Sequence, residues 1–163
     1  TKRPDRMAEL FASGLIEAEA HIWVGTSVES SEVADRVRHL ASIKNATLFI
    51  SFEPLIGEIK DINLRGIHWA IVGGESGPRA RPMEEAWVER LLEICRRDDV
   101  AFFFKQWGGR TSKAWGRTLE GRTWDDMPLK PTSPPTQHRP VGHHRRPGRH
   151  RLSDRGQDPQ EAA

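Results

Sequence analysis

The sequence predicts an α/β fold built on parallel strands. Four short apolar runs recur along the 163 residues. They return about every 20 to 30 residues, a spacing that suits crossover connections and is too long for hairpins. Each run ends abruptly on glycine, serine, glutamate or lysine, as a strand does where it leaves a sheet for a loop. A third observation bounds the fold. From Leu129 to Ala163 the only large aliphatic side chains are Leu129, Val141 and Leu152, and there is no Phe or Trp. Such a segment buries too little to offset the entropy of ordering. Residues 1–128 therefore read as the folded part, and 129–163 as a disordered Pro/Arg/His-rich tail.

Met7, Leu10, Phe11 and Leu15 fall at helical spacing, with Gly14 as terminator. His21 to Thr26 reads as the first strand. Ser30 or Ser31 suits the cap of a second helix, with Val33, Val37, Leu40 and Ile43 on one face and Asn45 near its end. Thr47 to Phe52 is the second strand. Glu53-Pro54 stops it, because proline lacks a donor and forces the residue before it into an extended conformation. Leu55 to Gly66 reads as a connector with one helical turn. His68 to Val72 is the third strand. Glu84 and Glu85 at the start, and Arg96 and Arg97 at the end, match the dipole of a third helix. Its apolar face carries Trp87, Val88, Leu91, Leu92, Ile94 and Cys95. Val100 to Phe104 is the fourth strand, apolar on both faces as in a buried parallel sheet. Trp115 to Trp124 reads as a small hairpin turning at Glu120-Gly121.

The tail holds seven Lys/Arg against three Asp/Glu, which leaves 18 of the 25 basic and 20 of the 23 acidic residues to the folded part. The basic character of the chain thus belongs to the tail. A single cysteine, Cys95, excludes an intramolecular disulfide and a cysteine-built metal site. The expected compartment is a reducing cytoplasm. No apolar run reaches the roughly 18 residues of a membrane span. The chain opens on Thr1 and enters a helical pattern at once, which reads as a missing N-terminal portion.

Parallel α/β sheets bind ligands beyond the carboxyl ends of their strands. Here those ends are Gly25-Thr26-Ser27 followed by Glu29, then Ser51 and Glu53, then Gly73-Gly74-Glu75-Ser76, then Lys105-Gln106-Trp107. Three carboxylates and one ammonium are expected on one rim. The glycines permit close backbone approach and N–H groups aimed at an anion. Glu75 suits an ammonium or hydroxyl, and Arg79 and Arg81 suit a carboxylate or phosphate. The plainer alternative is a tight turn with solvated arginines. Lys105 reads as a Schiff-base or phosphate lysine, or equally as an ion-pair partner of Glu53 or Glu75. Cys95, His21 and His68 read as structural, and no residue is assigned as catalytic. His138, His143, His144 and His150 lie among arginines in the tail, where metal or nucleic-acid contact competes with a simple solvated extension.

Several stretches together resemble a known family. They are Ile22 to Glu29, Ser51 to Gly57, Trp69 to Pro78 with Arg81-Pro82-Met83, and Phe102 to Gly108, with Gly116-Arg117 and Gly121 to Pro128 at the end. In this order they look like the uncharacterised phage and prophage family called phage gp thirty-seven / gp sixty-eight. The resemblance implies a radical-SAM-like (β/α) barrel, of which four strands make about half. It also implies S-adenosylmethionine and a [4Fe–4S] cluster for the full-length family. The cluster needs a three-cysteine motif near the family's N-terminus, and this chain has only Cys95, so no cofactor is expected in the chain as it stands. Gly73, Gly74, Glu75 and Ser76 are similar to the Gly-Gly-Glu segment that contacts the methionyl amino group in radical-SAM enzymes. The family stops near Pro128, so 129–163 departs from it as an out-of-frame or read-through extension would, and the whole fits a gene remnant or a fragmentary gene model.

Three functions stay open. The first is an enzyme fragment that binds S-adenosylmethionine or substrate at the Glu53/Glu75/Lys105 rim without independent catalysis. The second is a non-redox phosphate or nucleotide binder using the Gly73 to Gly77 loop with Arg79 and Arg81. The third is a nucleic-acid-associated protein acting through the basic tail. Half a barrel should also leave open sheet edges and an uncovered apolar face, which favours self-association.

Overall fold

A computed structural model describes residues 1–19 and 21–128. The predicted tail, with its histidines and the nucleic-acid reading attached to them, lies outside the described residues. The elements run α1 (Pro4–Ala12), β1 (Trp23–Ser27), a 3-10 turn (Ser31–Val33), α2 (Arg36–Ala41), β2 (Thr47–Phe52), β3 (Trp69–Gly73), α3 (Glu85–Asp98) and β4 (Ala101–Gln106). The four strands form one sheet in the order β1-β2-β3-β4, and each neighbouring pair is parallel. All four carboxyl ends therefore share one edge of the sheet.

Alternation along the strands sorts the side chains into two faces. Val24 and Thr26, Leu48, Ile50 and Phe52, Ala70 and Val72, and Phe102 and Phe104 are buried in the core with Val37, Leu40, Val88, Leu91, Leu92 and Ile94 from the helices. The opposite face carries Trp23, Phe49, Trp69, Ile71 and Phe103, which are only partly buried or exposed. β4 was expected to be buried on both faces, but Phe103 lies half-buried because no layer among the described residues covers this side.

Three local expectations change. Leu15 lies outside α1 and is exposed, since the helix ends at Ala12 and Gly14 turns away at φ 74°. Ser30 stands at the N-cap of the 3-10 turn, but neither its side chain nor that of Ser31 makes a capping bond. Ser31 Oγ instead donates to the Glu58 carbonyl at 2.7 Å, and α2 starts only at Arg36. The connector between β2 and β3 has no helical turn. It runs irregularly while burying Leu55, Ile59, Ile62, Leu64 and Ile67.

The sheet edges are not bare. Beyond β4, Phe104 N donates to Trp124 O at 2.9 Å and Asp126 N to Phe102 O at 3.2 Å, so the returning segment pairs antiparallel with that edge. Beyond β1, Thr1 N donates to Gly25 O at 3.1 Å and Ser27 N to Thr1 O at 3.2 Å. The open-edge expectation fails along β4 and is relieved at β1 only by Thr1, and among the described residues the uncovered part is the aromatic face. Leu119 pairs with Arg122 across a turn in which Glu120 and Gly121 both have positive φ, at 51° and 75°, as a tight hairpin turn requires. Among the described residues no helix is long and apolar enough to cross a membrane.

Candidate functional site

The uncovered sheet face is layered. Near the amino ends of the strands, Trp69 meets Trp23 edge-on at 5.5 Å between ring centroids, Phe103 at 5.8 Å and Phe49 at 6.3 Å. The Phe49 ring lies over Gly25, where a Cβ would overlap it. Ser27, Ser51 and Ile71 come next on the same face. Glu53 and Lys105 crown it at the carboxyl ends.

Register explains how these last two meet. Phe52 pairs with Val72 and Val72 with Phe104, so Glu53 and Lys105 flank Gly73 from either side. The ladder then skips to Gly73 opposite Gln106, a bulge at Lys105 that re-aims the side chain. Lys105 Nζ sits 3.0 Å from Glu53 Oε1, and Ser51 Oγ donates to Glu53 Oε2 at 3.2 Å. A Cβ on residue 73 would lie 2.6 Å from Glu53 Oε1. Gly73 is therefore what lets the ion pair close over β3. The side chains are 19% (Glu53) and 52% (Lys105) exposed, so the pair remains open to a ligand.

The other predicted residues are arranged differently. Gly74 N donates to Gln106 O, Gly77 N to Gly109 O and Gly109 N to Glu75 O. The glycine loop thus continues the β3–β4 pairing, and the N–H groups of Gly74 and Gly77 already have acceptors. Gln106 Nε2 donates to Gly74 O and to Ser76 Oγ, at 3.2 and 2.8 Å. Glu75 accepts from Arg81 N, Nε and Nη2 at 2.8 to 2.9 Å. That Arg81 contact holds its carboxyl down at about 2. Arg79 is exposed on the same loop. Glu29 is buried between Lys2 and Arg36, and Arg36 also donates to Ser27 O. Burial pushes the Glu29 carboxyl up, but Lys2 and then Arg36 outweigh it and hold it below its ordinary value. Of the expected rim, only Glu53 and Lys105 join over the sheet face. Glu75 belongs to an Arg81 clasp, and Glu29 to an ion cluster beside α1 and α2.

The residues that sequence spacing misses come from the returning segment. The Arg117 guanidinium lies 5.1 Å over the Phe103 ring and pairs with Asp125. Trp69 Nε1 donates to Asp126 O at 2.9 Å. No local pattern around Arg117 announces a contact with a strand fourteen residues earlier. His68 and Cys95 take structural roles. His68 Nδ1 accepts from Leu48 N at 2.9 Å, while burial and then the Asp98 charge push the Cys95 thiol up to about 12. A lone protonated thiol inside α3 does not fit the thiolate set of an iron–sulfur cluster. A groove of about 570 Å³ lies elsewhere, between α2 and the connector. Asp35 and Arg38 on its rim satisfy each other at 2.6 Å.

No curated protein and no solved structure matches the chain. A family model does, over residues 1–128, the whole of the segment that carries the sheet, the helices and the returning strand. On that match the chain belongs to the family described as Protein of unknown function (DUF5131).

Proposed function

We propose that this chain is the ligand-binding part of a phage-type, radical-SAM-like (β/α) barrel, which holds S-adenosylmethionine without cleaving it. The barrel is supported by parallel strands in chain order, by an uncovered aromatic face, and by Thr1 pairing beside β1 in the parallel sense. The reading rests on one observation, the Glu53–Lys105 pair at the head of that face. A carboxylate and an ammonium side by side complement an α-amino-acid headgroup, which carries the opposite two charges. The rings of Trp69, Phe49 and Trp23 offer a stacking surface for a purine. S-adenosylmethionine carries both features. Gly73 to Ser76 then serve as scaffold. Gly73 clears the space for the pair, and Gly74 and Ser76 hold Gln106. Cluster chemistry needs thiolates that this chain does not carry, so the predicted activity is binding alone.

Calorimetric titration of the full chain with S-adenosylmethionine tests this reading. Glu53→Gln and Lys105→Met should each weaken binding by about tenfold or more, as expected for loss of a charge-assisted contact. Unchanged affinity in both variants contradicts the reading. ADP binding that depends on Arg79 instead points to the glycine loop as a phosphate site.

A further inference from the structure

The geometry points to Arg117 as the anion-recognising residue of this site, an assignment that rests on the ligand-binding reading above. Three observations place it there. Its guanidinium stacks on Phe103, which stands on the same face of β4 as Lys105 and two residues before it. Residues so spaced on one strand face are about 7 Å apart, within the span of one ligand headgroup. The preceding Gly116 is anchored by Trp107 N, which donates to Gly116 O at 3.0 Å, so the Arg117 backbone enters beside the end of β4. Most telling is the Nε atom of Arg117. It is buried and has no hydrogen-bond partner among the described residues, although Nη2 is paired with Asp125.

A guanidinium is a fork of donors, and Nε–H with a terminal N–H forms the edge that grips a carboxylate or phosphate with two bonds. A buried donor left without an acceptor carries the full cost of desolvation. An anionic group lying beside Phe103 would remove that cost and share the charge of Lys105. The expected ligand therefore places a carboxylate or phosphate beside the Phe103 ring. Glu53 remains available for an ammonium. Asp125, paired with Nη2, holds the Arg117 fork in place.

The test measures binding of the full chain to S-adenosylmethionine, to ADP and to uncharged adenosine, in the wild type and in Arg117→Gln and Asp125→Asn. Arg117→Gln should weaken whichever carboxylate- or phosphate-bearing probe binds by about tenfold and leave adenosine within about twofold, because the lost contacts are charge-assisted. Asp125→Asn keeps the guanidinium and releases it from its protein partner, so anion binding should hold or tighten. Equal weakening of adenosine by Arg117→Gln overturns the assignment. So does loss of anion binding in Asp125→Asn matching that in Arg117→Gln, since both are signatures of a structural ion pair. Should S-adenosylmethionine fail to bind while ADP binds through Arg117, the proposed cofactor is wrong and the assignment stands. If Lys105→Met weakens S-adenosylmethionine and Arg117→Gln does not, the proposed function stands and Arg117 is excluded. Failure of both the carboxylate-bearing S-adenosylmethionine and the phosphate-bearing ADP to outbind adenosine removes the assignment outright.

Discussion

Gly73 and Gly74 are neighbours with different reasons to lack a side chain. A methyl on Gly73 meets the end of the Glu53 side chain, which can swing aside at the cost of the Lys105 pair. A methyl on Gly74 meets the Trp107 carbonyl oxygen, which belongs to the backbone and cannot. Gly73→Ala should therefore cost less than about 1.5 kcal/mol of stability yet abolish tight ligand binding, whereas Gly74→Ala should cost about 2 to 4 kcal/mol. Urea denaturation of the two variants separates them. Asp98 ties stability to pH. Its side chain is 1% exposed and accepts from Leu64 N and from Arg97. The Arg97 contact comes first among the causes that hold its carboxyl at about 2, below the ordinary 3.8. A carboxyl lowered on folding stabilises the fold above its unfolded pKa and loses that contribution as pH falls through the folded one. Stability should therefore drop between about pH 4 and pH 2. Asp98→Asn should be less stable at pH 7 and show a shallower drop over that window in urea titrations at each pH. At this scale the sequence located Glu53 and Lys105 correctly at the strand ends. It could not show that Arg81 closes on Glu75, or that Arg117 returns to Phe103, because those pairings depend on loop paths rather than on spacing.

The strands are the most legible elements. Thr47–Phe52 runs over the same residues in the structure as in the apolar pattern, and the other three shift by one or two residues at their ends. α3 is also plain, with acids at one end, bases at the other, and Val88, Leu91, Leu92, Ile94 and Cys95 buried between them. Leu91→Ala should cost about 2 to 5 kcal/mol, the range for emptying a closed core site, and thermal or urea unfolding reads it directly. Cys95 should resist iodoacetamide at pH 8 in the native protein and react fully once unfolded, as detected by mass spectrometry. The connector is where periodicity misleads. Leu55, Ile59, Ile62 and Ile67 look nearly helical, yet the backbone there is satisfied from outside. Ser31 donates to Glu58 O, Arg90 to Lys60 O and Arg97 to Ile62 O, while Asp98 accepts from Leu64 N. With Ser31 and side chains of α3 supplying those bonds, a helix of its own is unnecessary.

At the scale of the whole molecule, long gaps between apolar runs foretold parallel pairing, and the sheet bears this out in every pair. The antiparallel return of Trp124–Asp126 along β4 was not foretold, because a segment so short carries no alternation of its own. The arrangement as a whole places helices on one side of the sheet and leaves an aromatic face, headed by an ion pair, on the other. Indole N–H resonances report on that face directly. In an NMR titration with S-adenosylmethionine, the Trp23 and Trp69 indole signals should shift together as the ligand seats, and that of Trp87 on α3 should stay in place. Movement of the Trp87 signal with Trp23 and Trp69 unchanged, or no movement in any of the three at saturating ligand, would contradict the account.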